Sequence, residues 1–199
     1  MRPLIVALAL LIASSLAAEA SVAYRGVILD PKNLIRAELL REALASLRSN
    51  KGLRKDRLAV VDFAKHSREN RFFVIDLRSG AVESYRTAHG KGSDHNHDGL
   101  ADSFSDQPNS KASSLGAYAG RREYQGKYGL ALKLEGLDAT NGNAAARKIV
   151  LHSAAYASAD WLRVHGRLGR SFGCFVVDPK WIRRIVRELE NGVLIYAGR

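Results

Sequence analysis

IVLHSAAYASADWLRVHGRLGRSFGCFVVD, residues 149–178, alternates apolar runs with glycine and contains the chain's single cysteine, Cys174. Ile149, Val150 and Leu151 form an apolar run that ends at His152, which predicts a strand over 147–154 with an imidazole at its terminus. Ser158 is a helix N-cap residue and Gly166 a stop, so SADWLRVHG is a short helix. SFGCFVVD (171–178) is a second strand, closed by Asp178-Pro179, which opens the helix PKWIRRIVRELENG. VLIYAG then ends the chain as a strand. Two strands joined through a helix can lie side by side, bringing His152 to Cys174.

Working outward, RLAVVDFAK (57–65), RFFVIDLRSG (71–80) and AVESYRTAHG (81–90) predict an antiparallel meander with a turn at Ser79-Gly80. Upstream, Asp30-Pro31-Lys32-Asn33 predicts a helix start. Ile35, Leu39, Leu40, Leu44 and Leu47 lay an apolar stripe along a helix over 33–50, which Gly52 stops. Residues 90–116 are polar and rich in Gly and Ser, a long loop of the functional kind. Strand character resumes over 127–137. The expected architecture is mainly β with about three helices (α+β), in one domain over 21–199.

Residues 1–20, MRPLIVALALLIASSLAAEA, have a basic start, an apolar run too short to span a bilayer comfortably, and a small-x-small end at Ala18-Glu19-Ala20. This predicts a signal peptide, export to the periplasm or cell wall, and no stable membrane insertion after cleavage. Arg2 and Glu19 cancel, so the exported chain keeps the net charge of +11. Such a charge suits nucleic acid; export redirects it to anionic envelope polymers, lipid headgroups or peptide carboxylates.

A lone cysteine in an oxidising compartment has no intramolecular partner to quench it, as a nucleophile requires. Gly173 lets the backbone turn and a ligand approach, and consecutive N–H groups there could hold an oxyanion. Arg163, Arg167 and Arg170 are expected to place positive charge near the sulfur and lower its pKa. His152 is the preferred base and His165 the rival. A buried structural cysteine is the plainer alternative.

IVLHSAAYAS…HGRLGRSFGCFVV resembles the L,D-transpeptidase (YkuD-type) catalytic domain, in which a strand ending in His is followed by Ser-x-Gly-Cys. The upstream blocks Ala88-His89-Gly90-Lys91-Gly92-Ser93-Asp94 and Ala112-Ser113-Ser114-Leu115-Gly116-Ala117-Tyr118 are similar to a branch described as murein L,D-transpeptidase catalytic domain proteins. The resemblance covers roughly residues 30–197. It implies a mixed β-sandwich and an exported cysteine acyltransferase acting on peptidoglycan stem peptides. Cys174 would form a thioester with release of D-Ala and pass the acyl group to an acceptor amine, with no metal or cofactor. His152 would move protons, oriented by a backbone carbonyl, and Gly173 and Cys174 N–H groups would hold the oxyanion. Ser153 stands where family members have Gly, and Val176 where many carry Arg, so Arg167 or Arg170 is expected to supply the substrate-binding cation. Ser171, Ser153, His89 and Tyr118 complete the expected substrate site. Water as acceptor would make the protein an L,D-carboxypeptidase; without turnover it would be a murein-binding module.

DHNHDGLAD raises a calcium reading. Asp94, Asn96 and Asp98, then Gly99, match the first half of an EF-hand loop and Asp102 its ninth position, but Ser105 replaces the closing Glu. His95 and His97 lack a third strong metal ligand. A thiol sensor would need a resolving cysteine, and the sequence has one Cys only. Trp161 and Trp181 are assigned to packing.

Overall fold

The computed structural model describes residues 21–199, so the predicted signal peptide lies outside the described residues. Apolar alternation along the strands builds one eight-stranded sheet buried on both faces. Its strands are β3 (Arg57–Asp62), β4 (Phe72–Asp76), β5 (Val82–Tyr85), β6 (Gly116–Gly126), β7 (Gly129–Gly136), β8 (Val150–Ser153), β9 (Phe175–Val177) and β10 (Leu194–Gly198), in the order β5-β4-β3-β10-β6-β7-β8-β9. The pairs β3–β10 and β8–β9 are parallel and the others antiparallel. A small antiparallel pair, β1 (Ala23–Tyr24) and β2 (Val27–Ile28), precedes it. Among the described residues the protein is mainly β with three α-helices.

Period-two alternation sorts the strands' side chains between two cores. Leu58, Val60, Phe73 and Ile75 face α1 (Ala37–Ser49), whose Leu39, Leu40, Leu44 and Leu47 are buried against them. Ala59, Val61, Phe72 and Val74 turn to the opposite core, shared with Leu132, Leu151, Phe175 and Val177 and with Ile185, Val186 and Leu189 of α3 (Ile182–Leu189). Residues from both ends of the strand order meet in that second core, so the sheet curls over it. Bridges Ala88↔Val176 and Gly90↔Ser171 then draw the segment after β5 onto β9.

Two expectations are corrected. The first helix starts at Ala37 and not at residue 33, because Asp30 folds the preceding segment into a turn. Its Oδ2 accepts the Ile35 N–H at 2.7 Å and its carbonyl accepts the Asn33 N–H at 2.9 Å. The long loop runs to residue 115, within one residue of its expected end. Residues 116–126, assigned in part to the loop and otherwise left without structure, form β6, the longest strand. Its buried half is GAYAG, four small residues around Tyr118 between β10 and β7, and its outer half begins with the charged Arg121, Arg122 and Glu123. The loop itself is tied down: Gly92 N–H donates to Lys111 O at 2.9 Å, and a Cβ on Gly92 would stand 2.1 Å from Ser110 O.

Because α1 fastens one face of the sheet through a few leucines, Leu44→Ala should lower unfolding free energy by about 3 kcal/mol. Urea unfolding measures this; a loss under about 1 kcal/mol would mean that α1 contributes little to the core.

Candidate active site

Parallel pairing of β8 with β9 sets Leu151 opposite Phe175 and His152 opposite Val176. Continued by one residue, the register sets Val150 opposite Cys174. Leu151, Phe175 and Val177 turn into the core, while His152, Cys174 and Val176 point to the other face. His152 and Cys174 therefore share a face on neighbouring strands, two residues apart along the ladder. Both line a cavity of about 210 Å³ together with Tyr128, Ala154, Tyr156, Arg170, Ser171 and Phe172.

The turn before β9 is held by hydrogen bonds at Ser171. Ser171 N–H donates to His89 O at 2.8 Å, and its carbonyl accepts from Lys91 N–H at 2.7 Å. The Ser171 hydroxyl accepts the Gly173 N–H at 3.1 Å and donates to Cys174 O at 2.8 Å. Gly173 has φ +112°, and a Cβ there would stand 2.6 Å from Ala112 O and 2.9 Å from Ile149 Cδ1, so only glycine fits. Its N–H is engaged by Ser171, which corrects the expectation that it is a free oxyanion donor.

His152 is buried, and its Nδ1 lies 3.0 Å from Ser153 O. That bond places the proton on Nδ1 and leaves Nε2 as the basic nitrogen. Ser153 thus contributes its carbonyl. Tyr128, from the turn between β6 and β7, stacks on the imidazole with centroids 4.7 Å apart, and Lys127 lies over the Tyr128 ring. Burial pushes the His152 pKa down, against the raising effect of its bond to Ser153.

The Cys174 thiol is half-buried, with its Sγ 3.7 Å from Lys148 O. Burial pushes its pKa up, opposed by the Val150 backbone N–H and by the charge of Arg147. This reverses the expected direction and changes the cation responsible. Arg163 is exposed and paired with Asp160 on the surface of α2 (Ala159–His165). Arg167 has a buried Nε without a partner and does not line the cavity. Arg170 does line it, and donates to Asp94 O. With the thiol raised and the imidazole lowered, the resting pair is neutral.

Arg147 was not singled out in the sequence. It lies behind the Ser171–Cys174 turn, donating to Ser105 O at 2.9 Å and Ala112 O at 2.5 Å and pairing with Asp106 at 3.3 Å. It thereby joins the long loop to Gly173. Only its place two residues before Ile149 could have signalled this, and lone arginines there are usually solvated.

Other expected site residues fall elsewhere. His89 is 1% exposed and outside the cavity; its Nδ1 accepts from Arg71 at 2.7 Å and its Nε2 donates to Asp94 at 2.9 Å. Tyr118 is buried, donates to Ser114 O at 2.9 Å and meets the Phe175 ring edge-on, so it supports the site from the core. His165 stacks on Trp161, away from Cys174. The calcium residues do not converge. Asp94 accepts from His89 and from the Gly99 and Asp98 N–H groups, Asn96 bonds Asp98, and Asp102 pairs with Arg199. Among the described residues no three His, Cys, Asp or Glu side chains form a metal-binding group.

A family model described as the L,D-transpeptidase catalytic domain matches residues 31–197. The chain belongs to that family. Among solved structures, it is similar to an L,D-transpeptidase from Mycobacterium smegmatis, at 14% identity over 72% of this chain and 59% of that one, TM-score 0.43. An L,D-transpeptidase (Yku) from Stackebrandtia nassauensis shares 13% identity over 80% of this chain and 63% of that one, TM-score 0.44. Bd1075 from Bdellovibrio bacteriovorus shares 14% over 74% and 49%, TM-score 0.43. The chain thus spans about half to under two thirds of these proteins. No curated protein matches it.

Burial beside Arg71 and desolvation hold His89 at a pKa of about 4, below the ordinary histidine value. A depressed folded pKa means that its stabilisation is complete above the ordinary value and is lost as pH falls from about 6.5 towards 4. The loss is on the order of 3 kcal/mol. In urea unfolding, His89→Gln should flatten this pH dependence. An unchanged slope would contradict the assignment.

Proposed function

We propose that this L,D-transpeptidase family member is an exported cysteine acyltransferase of peptidoglycan stem peptides, with Cys174 as nucleophile and His152 as general base and acid. The observation that carries this reading is the meeting of a half-buried thiol, an imidazole with its Nε2 free and the Arg170 cation in one cavity. Family membership adds the substrate class.

The chemistry follows from the neutral pair. As Sγ attacks the carbonyl carbon of the third stem residue, the thiol proton passes to His152 Nε2. The oxyanion is held by the Cys174 N–H. Collapse breaks the bond to the terminal D-Ala nitrogen, which leaves with the proton from His152 and yields a thioester. An acceptor amine then attacks the thioester, gives its proton to His152 and restores the thiol, forming a 3–3 cross-link. Arg170 is the cation in the cavity able to meet a stem carboxylate, and Tyr128, Tyr156 and Phe172 offer apolar walls. The net charge of +11 favours an anionic envelope.

Mature protein incubated with disaccharide-tetrapeptides should release D-Ala and give 3–3 dimers, read by mass spectrometry. Cys174→Ala should abolish release. His152→Gln should lower kcat by about 10²–10⁴. Tripeptides without dimers would point to water as acceptor. Absence of both products from folded protein with an intact thiol would overturn the acyl-transfer reading.

A further inference from the structure

Asp30 is 3% exposed, and its Oδ1 has no hydrogen-bond partner among the described residues. Its other oxygen is engaged by the Ile35 N–H in the turn that leads into α1. A buried carboxylate oxygen without a donor is unfavourable, and a carboxylate calls for a cation more than for a neutral donor. The acyl-transfer chemistry does not use this residue, which lies on the α1 side of the sheet.

The β1–β2 hairpin carries the candidate donor. β1 and β2 pair Ala23 with Ile28 and Tyr24 with Val27, and Leu29 N–H donates to Val22 O at 2.8 Å. Beyond that bond the chain turns at Asp30, whose φ is +50° and whose N–H donates to Gly80 O at 3.0 Å. Ser21 and Asp30 line one small cavity, of about 10 Å³, with Val22, Leu29 and Asn33. Lining the same cavity places the Ser21 backbone beside the Asp30 side chain. The cavity has room for about one water.

In a chain that continues upstream, the Ser21 nitrogen is an amide with one hydrogen. In a chain that begins at Ser21 it is an ammonium with three. The sequence places a signal-peptidase site at that junction, after Ala18-Glu19-Ala20. We propose that hydrolysis of the Ala20–Ser21 bond completes this site: the new α-ammonium of Ser21 pairs with Asp30 Oδ1. The step consumes one water; Ala20 departs as a carboxylate, and Ser21 keeps the amine, protonated at neutral pH. The pair ties the mature N-terminus to the turn that starts α1, so processing itself stabilises the domain. The inference rests on the export reading of residues 1–20 and is independent of the chemistry at Cys174.

The full chain should be expressed in a secreting bacterial host and the mass of the processed product measured. Its thermal midpoint is then compared with that of a chain retaining Ala18-Glu19-Ala20 ahead of Ser21, each with and without Asp30→Asn. The expected product begins at Ser21, melts about 5 °C above the extended chain, and loses that advantage in Asp30→Asn. A product beginning elsewhere, equal midpoints for the two native chains, or a gap that persists in Asp30→Asn would overturn the proposal. A second readout does not require the variant to fold. At pH 8 the Ser21 amine of the processed protein should acetylate at least tenfold more slowly than a peptide α-amine, and equal reactivity would overturn the pairing.

Discussion

Ser171 is the residue on which the geometry of the site depends. Its two backbone groups are clamped by His89 O and Lys91 N–H, and its hydroxyl bridges Gly173 N–H and Cys174 O. A turn with a glycine at φ +112° would otherwise sample many conformations. The clamp fixes where β9 begins, and the β8–β9 register then fixes which face Cys174 shares with His152. A slip of one residue would turn the sulfur into the core and Phe175 into the cavity.

The clamp has its own foundation. His89 can present its carbonyl because its imidazole is fixed between Arg71 and Asp94 in the interior. Asp94 in turn organises the 94–99 turn and offers its carbonyl to Arg170, the cation of the cavity. Arg147 does the same from the other side, tying Ser105 and Ala112 to the backbone behind Gly173. The polar loop over 90–115 is therefore a support for the turn that carries Cys174, held by backbone bonds and by the buried Arg71 and Arg147 side chains.

Elements with strong periodicity were legible in the sequence: the leucine stripe of α1, the β3-β4-β5 meander, and the two strands bearing His152 and Cys174. β6 was not, because glycine and alanine suit the crowded middle of a sheet yet resemble loop composition, and its outer half begins with charged residues. Cys174 and His152 could be paired because a strand end and a Ser-x-Gly-Cys turn are local features. The roles of His89, Asp94 and Arg147 could not be read, since each depends on partners far away in the sequence. Charge was misjudged for the same reason. Arg163 and Arg167 are near Cys174 in sequence but do not reach the sulfur, whereas Arg147 acts on it across the loop.

The central physical claim is that the thiol and the imidazole rest as a neutral pair, because burial raises one pKa and lowers the other. The rate of Cys174 alkylation by iodoacetamide as a function of pH reports the thiolate directly. The account predicts slow alkylation at pH 5–7, rising in a single titration above the ordinary thiol pKa of about 8.5. Fast alkylation that is already level at pH 5–6, the mark of a resting thiolate–imidazolium pair, would contradict it.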